Sequence, residues 1–304
     1  MSAKIIVSLT SYPARIGTVA KTIETLLSQT RPADAVVLWL APEQFPGGVA
    51  DLPAELRALC GRGLTIDWYH NVRSYTKLIP ALHKYPDDII VTADDDILYA
   101  PDWLEQLVDS YNAHPNMISC HRAHRVKFCG NKIAPYGDWG WCVQYVAPSY
   151  NNFLTGVGGV IYPPHCMHRD VLDEGKFKSL APLADDIWFW AMAVHNNIKI
   201  NVINGPNWKT HCIPGTQDIE TALRHTNVAG NRNDEQLAAV LAAYPAVAEK
   251  LAREPVHCSW FWRSKFTGNK DLFYICGMHV FKIKRFDTCD KYYVFGICVY
   301  RRKH

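Results

Sequence analysis

Residues Ile89-Ile90-Val91-Thr92-Ala93 form a short apolar run, β-branched in four of its five positions, that stops abruptly at Asp94-Asp95-Asp96. A run of this length bounded by charge reads as a buried parallel strand. In open α/β sheets, ligands bind just outside the carboxyl ends of the strands. Three adjacent carboxylates repel one another there, and keeping them ionised calls for a cation or for solvent. Hard oxygen donors of this kind suit Mg²⁺ or Mn²⁺, shared with a substrate phosphate. A solvated acidic turn is the plain alternative, and the rest of the chain has to decide between them.

The chain repeats the strand–helix alternation that builds a mostly parallel sheet. Lys4 to Thr10 reads as a strand and leads into Ser11-Tyr12-Pro13-Ala14-Arg15. Ile16 to Thr30 has helical spacing through Val19, Ile23, Leu26 and Leu27. Further strands are expected at Val36 to Ala41, Leu64 to Tyr69 and Lys199 to Ile203, and helices from near Leu78 and over Asp102 to Tyr111. The polar turn after the first strand lies at the same sheet edge as the acidic triplet, either as a nucleotide pocket or as a loop capping the next helix. Lys77, just before a helix, is able to neutralise a diphosphate or to sit solvated.

Between residues 120 and 150 lie His121, Arg122, His124, Arg125, Tyr136, Trp139, Trp141 and Tyr145 without clean periodicity. Such rings line a site for a sugar or fill a core. His121, His124 and Cys129 fit no common zinc spacing. Gly156-Val157-Gly158-Gly159 precedes an apolar strand, where glycines permit close approach to a ligand or make a bend. No Gly-Lys-Ser/Thr follows, so this is not a phosphate-cradling loop. Asp185-Asp186 heads an apolar helix, where the two acids cap the helix or supply a general base. His211 follows the last strand as a ligand or a buried ring, and Asp234 to Ala252 reads as one surface helix.

Composition bounds the partners. The 304 residues are 48% apolar and 20% charged, values of a globular chain with a sizeable core. A net charge of only +3 argues against nucleic acid as the main partner. That mean hides an asymmetry, because residues 256–304 carry ten Lys/Arg against three Asp/Glu, +7, leaving −4 for the rest. The same tail repeats itself at an offset of 19: Tyr274 to Lys282 aligns with Tyr293 to Arg301. Each copy resembles a short β unit ending in cations, suited to an anionic membrane surface or simply a solvated basic hairpin. The ten cysteines form no Cys-x-x-Cys pair, and Met1 leads straight into a strand without a leader-like apolar core. The expectation is a cytoplasmic protein with reduced thiols, possessing no membrane span.

Four features stand in one order: a strand ending in Asp94-Asp95-Asp96, the Gly156 to Gly159 loop, Asp185-Asp186 before a helix, and His211. This order resembles the nucleotide-sugar-dependent glycosyltransferases of the GT-A fold. The opening Ser8-Leu9-Thr10-Ser11-Tyr12-Pro13 is similar to that of bacterial polysaccharide and lipopolysaccharide glycosyltransferases. The resemblance covers residues 4–215. It implies a Rossmann-like, mostly parallel sheet flanked by helices as a catalytic domain over 1–215, followed by a helical segment at 216–255 and a small basic β-rich extension at 256–304.

Position by position, the resemblance implies that Asp94 and Asp96 hold Mn²⁺ or Mg²⁺ with His211, and that Asp94 and Asp95 contact the nucleotide sugar. It places Gly156, Gly158 and Gly159 against donor and acceptor, Asp186 as the base of an inverting reaction with Asp185 beside it, and Thr10, Tyr12, Arg15 and Lys77 facing the diphosphate. The implied activity transfers one sugar, from a UDP-sugar by preference, to a glycan or lipid-linked acceptor. No Gln-x-x-Arg-Trp occurs, the mark of the family's processive synthases, which favours single transfer. Two other readings stay open: a phosphatase using Asp94-x-Asp96, disfavoured by Leu98 where Thr or Val is wanted, and a non-catalytic glycan-binding protein on the same fold.

Overall fold

The computed structural model describes residues 3–205, 211–216, 232–254, 263–267, 270–275, 278–286 and 289–303. The chain divides into two compact units, Met1–Glu254 and Pro255–His304.

The first unit is built on β1 (Ile5–Thr10), β2 (Ala35–Leu40), β3 (Leu64–Trp68) and β4 (Ile89–Thr92), which lie parallel in the order β3-β2-β1-β4. Order 3-2-1-4 leaves a crevice where the connections part to opposite sides, between the carboxyl ends of β1 and β4. Beyond them lie the two-residue β5 (Ile97–Leu98), then β6 (Ile118–Cys120), which joins the main sheet. Two small hairpins follow, formed by β7 (Ala123–Arg125), β8 (Phe128–Cys129), β9 (Lys132–Ile133) and β10 (Asn152–Leu154). Next, β11 (Val160–Tyr162) runs antiparallel between β4 and β6, and β12 (Ile200–Val202) closes the seven-stranded sheet beside β6. Because β11 is antiparallel, its entrance, the glycine loop, meets the exit of β4. That reversal puts the acidic triplet and the glycines at one edge.

Side chains along β1 and β4 alternate between two cores. Ile5, Val7, Leu9, Ile89 and Val91 pack under α1 (Val19–Leu27), α2 (Ala54–Ala58) and, C-terminal to the triplet, a longer helix over Trp103–Ala113. Ile6 and Ile90 face the other way, against α3 (Ile79–Lys84) and the apolar helix Asp185–His195. With the intervening helices counted in chain order, these two are α4 and α6, and α5 spans Glu174–Leu180. α6 buries Ile187 through Val194 without a polar face, as a helix enclosed on all sides does.

The helical segment expected at Asp234 to Ala252 is not one surface helix. It is α7 (Arg232–Ala243) and α8 (Pro245–Arg253), separated at Tyr244 because Pro245 cannot donate a backbone hydrogen bond and starts a new helix instead. Leu237, Val240, Val247 and Leu251 are buried in the core around α6, so both helices belong to the first unit. The aromatic stretch also sorts itself. His121, His124, Tyr136 and Trp139 are buried, leaving Trp141 and Tyr145 exposed. Burial drives the two histidines down to about 4 and about 3, so both are neutral core rings.

The second unit is an antiparallel meander of β14 (Arg263–Thr267), β15 (Lys270–Ile275), β16 (Met278–Phe286), β17 (Cys289–Val294) and β18 (Ile297–Lys303), the label β13 belonging to His211–Cys212 of the first unit. The repeat at offset 19 is structural. Ile275 pairs with Met278 as Val294 pairs with Ile297, and the register shifts at Phe273/Tyr274 in one hairpin and Tyr292/Tyr293 in the other. Among the described residues no helix is long and apolar enough to cross a membrane.

Candidate functional site

The three aspartates after β4 have different surroundings. Asp95 turns inward: Ser11 Oγ donates to its Oδ2 at 2.6 Å, Arg15 Nη1 to its Oδ1 at 2.8 Å, and Thr22 Oγ1 to its carbonyl at 3.0 Å. Burial pushes the Asp95 carboxyl up, and Arg15 and Ser11 pull it back. Asp96 lies 3.0 Å from Arg15 Nη1 and is pushed up to about 6 by burial and by the Asp94 charge. Asp94 receives Lys77 Nζ at 3.1 Å, and its backbone N–H donates to Tyr99 Oη at 2.8 Å.

Lys77 is the meeting point of both acidic groups. Its ammonium stands 3.1 Å from Asp94 Oδ1 and 3.2 Å from Asp185 Oδ2, with its side chain only 12% exposed. Burial pulls its pKa down, but Asp185, Asp94 and Asp186 together raise it well above the ordinary lysine value. The backbone fixes its position, since Ser8 Oγ donates to the Lys77 carbonyl at 2.6 Å and accepts from Trp39 Nε1 at 2.9 Å. A polar residue inside the apolar β1 strand thus anchors a cation above the sheet edge.

Asp185 and Asp186 do not cap α6. The residue before the helix, Ala184, makes no capping bond, and both acids look out of the first turn. Asp185 is buried with Lys77 as ion-pair partner, but Oδ2 has no aligned hydrogen bond. Asp186 Oδ1 accepts from the Gly156 backbone N–H at 2.9 Å. Its carboxyl is pushed up to about 7 by burial and then by Asp185, with Lys77 and the Gly156 N–H opposing.

The glycines are explained by what approaches them. A Cβ on Gly156 would lie 2.7 Å from Lys77 Nζ and 3.2 Å from Asp186 Oδ1. One on Gly159 would lie 2.4 Å from the Trp103 ring, whose Nε1 donates to the Gly158 carbonyl at 2.6 Å. Both Gly158 and Gly159 have positive φ, 96° and 97°. The remaining expected residues surround this centre. Thr10 Oγ1 donates to the Trp39 carbonyl at 2.9 Å, turning it toward β2, and the Arg15 guanidinium lies 5.7 Å from the Tyr12 ring centre.

His211 reaches the triplet through the backbone. In β13 it pairs with Leu98 of β5, the Ile213 N–H donates to the Asp96 carbonyl at 2.8 Å, and Arg15 Nη2 donates to the Thr216 carbonyl at 3.3 Å. Residues 206–210, just before it, lie outside the described residues. Sequence reasoning missed Ser8, Ser11, Thr22, Tyr99 and Trp103. Ser11 had a signal, being the first residue of the expected pocket turn. The others are ordinary members of strand and helix patterns.

A divalent cation fits this donor set. Among the described residues, Asp94, Asp95, Asp96 and Asp185 pair with Arg15 and Lys77, and the crowding of five carboxylates shows in the raised Asp96 and Asp186 carboxyls. Among the described residues no three His, Cys, Asp or Glu converge into a ready cage. Mg²⁺-type sites are commonly of that kind, taking one or two carboxylates and completing the shell with substrate phosphate and water.

No protein-family model matches the chain, and no curated protein does. Solved structures similar to it include a CMP:2-keto-3-deoxy-manno-octonic acid synthetase complexed with CTP, at 14% identity and a TM-score of 0.43 over 70% of this chain and 94% of that one. A 4-diphosphocytidyl-2C-methyl-D-erythritol synthase matches at 10% identity and 0.41, over 71% and 96%. Residues 1–349 of S. aureus TarS match at 14% and 0.44, over 78% and 70%. Likeness at this level carries nothing about what the present chain binds.

Proposed function

We propose that this chain is a glycosyltransferase that moves one sugar from a nucleotide diphosphate donor, a UDP-sugar by preference, to a glycan or lipid-linked acceptor in bacterial surface polysaccharide synthesis. The observation that supports it most is Asp186. It is a carboxyl raised to about 7, held by Gly156 and set apart from the triplet by Lys77. A general base works best with a pKa near the operating pH.

In this reading Asp186 takes the proton of the acceptor hydroxyl as the new glycosidic bond forms, and Gly156 keeps the carboxylate oriented. Asp185 raises the basicity of its neighbour. Lys77, already between the two acidic groups, and Arg15 offer positive charge to the departing diphosphate. Gly158 and Gly159, packed on the buried Trp103 ring, would present bare backbone to the donor sugar. Asp94 and Asp96 would offer carboxylates to Mn²⁺ or Mg²⁺, with substrate phosphate and water completing the shell, and His211, which forms no metal-holding cluster with them among the described residues, is left out of this set. When bound, the ion would neutralise the diphosphate as a Lewis acid.

Titration of UDP, GDP and CMP into the protein by calorimetry, with Mn²⁺ and then with EDTA, tests the reading. One nucleotide should bind tightly, and the binding should be lost in Asp96→Ala. Full donor turnover in Asp186→Ala would overturn the base assignment. Sugar binding with no nucleotide binding would transfer the protein to the glycan-binding alternative.

A further inference from the structure

The second unit carries a row of like charges across its sheet. Lys284 of β16 stands directly opposite Lys291 of β17, and Lys291 directly opposite Arg301 of β18. Lys270 holds the same register position on β15, opposite Lys284. Directly opposed residues share a face, and strands lie about 4.8 Å apart, so Lys284, Lys291 and Arg301 form a line about 10 Å long. Like charges directly opposite one another destabilise a sheet. Among the described residues, no carboxylate lies within ion-pair distance of Lys284, Lys291 or Arg301. Two of these cations lie by rings instead: Lys291 is 5.2 Å from the Phe286 ring centre and Lys284 is 5.4 Å from that of Tyr293, which Lys282 also covers at 4.6 Å.

The tip of the last hairpin adds a second observation. Phe295 and Gly296 both have positive φ, 46° and 84°, as a two-residue hairpin turn with matching twist requires. Asn-Gly is the sequence that suits such a turn, and a bulky residue at positive φ is strained. Phe295 therefore serves the turn poorly, yet it is 70% exposed, as is Ile297 beside it.

We propose that this unit docks on an anionic lipid bilayer, with the Lys284–Lys291–Arg301 row on the headgroups and the Phe295–Ile297 tip in the interfacial layer. A linear polyanion in solution would satisfy the row but leave Phe295 and Ile297 in water. A bilayer takes both. Aromatic and cationic side chains together suit the headgroup level, and each cation there contributes about fivefold in partitioning, the equivalent of ~1 kcal/mol. The inference stands independently of the transferase reading, because it rests on no residue of the first unit.

The test is flotation of the full chain with vesicles of phosphatidylcholine alone or with added phosphatidylglycerol. The chain should float only with the anionic vesicles and less so as salt rises. Lys284→Gln/Lys291→Gln should weaken the binding about 25-fold. Phe295→Asn creates the preferred turn, so it should keep or raise the melting temperature, while it weakens vesicle binding about tenfold. No flotation with anionic vesicles, or unchanged flotation in both variants, overturns the proposal. Capture by soluble polyphosphate without flotation overturns it in favour of a linear polyanion.

Discussion

Gly156 stands where any side chain would strike the ammonium of Lys77, since a Cβ there would lie 2.7 Å from Nζ. The ammonium is pinned between Asp94 and Asp185 and cannot swing aside without breaking an ion pair. The glycine therefore protects a charge arrangement more than a backbone shape.

Gly156→Ala is accordingly expected to cost activity more than stability. Its φ lies in an ordinary region, so the fold survives, but a displaced Lys77 and Asp186 should lower donor turnover on the order of a hundredfold. Gly159→Ala differs, because it meets both a positive φ and a packed indole. About 3 kcal/mol of stability should be lost there. Denaturant midpoints and turnover measured on the pair check the contrast.

Lys77→Met removes the cation shared by Asp94, Asp185 and Asp186. Breaking a buried pair from one side costs about 3 kcal/mol at neutral pH, since charges are left uncompensated. Acid should recover part of the loss as those carboxylates take up protons. A Lys77→Met protein that melts identically at pH 5 and pH 8 would contradict the pairing.

Asp186 titrates near 7 in the folded chain against 3.8 for the free group. Between those values the native state binds more protons than the unfolded one, so stability falls as pH rises through this window. Asp96, raised to about 6, adds a slope of the same sign. Asp186→Asn keeps an oxygen for the Gly156 N–H and removes the charge. Its melting temperature should fall less steeply than the wild type's between pH 5 and pH 8. Turnover should fall about a thousandfold, with loss of the rising limb that a deprotonating base gives the wild-type rate profile.

The triplet should divide under mutation. Asp95→Asn disturbs the Arg15 and Ser11 contacts and should destabilise the fold by about 2 kcal/mol, with nucleotide affinity retained in the folded fraction. Asp94→Asn and Asp96→Asn should melt near the wild type but bind the nucleotide weakly. Thermal melts beside calorimetry separate the two patterns.

Much of this was legible in the sequence. The apolar run at Ile89 and its acidic end were unmistakable, and strand and helix spacing placed the sheet and the head of α6. Strand alternation ends with the strand, however, and nothing in three identical residues told that Asp95 faces inward to Arg15. At the head of α6, Asp185 and Asp186 read equally as helix caps or as a base, because only the local pattern is visible. Their actual partners, Lys77 and Gly156, lie far away in sequence. The Asp234 to Ala252 helix looked exposed because its many alanines and charges diluted a narrow buried stripe, and Pro245 was passed over as a break.

The 19-residue repeat has a consequence for how such a tail can change. Each copy closes its own hairpin, bulge included, and leaves a free outer strand on which the next can pair. Duplicating one copy in frame would lengthen the meander by two strands, about 10 Å, without altering any existing pairing. The reach of this unit is thus adjustable in whole increments, independently of the chemistry carried by the first.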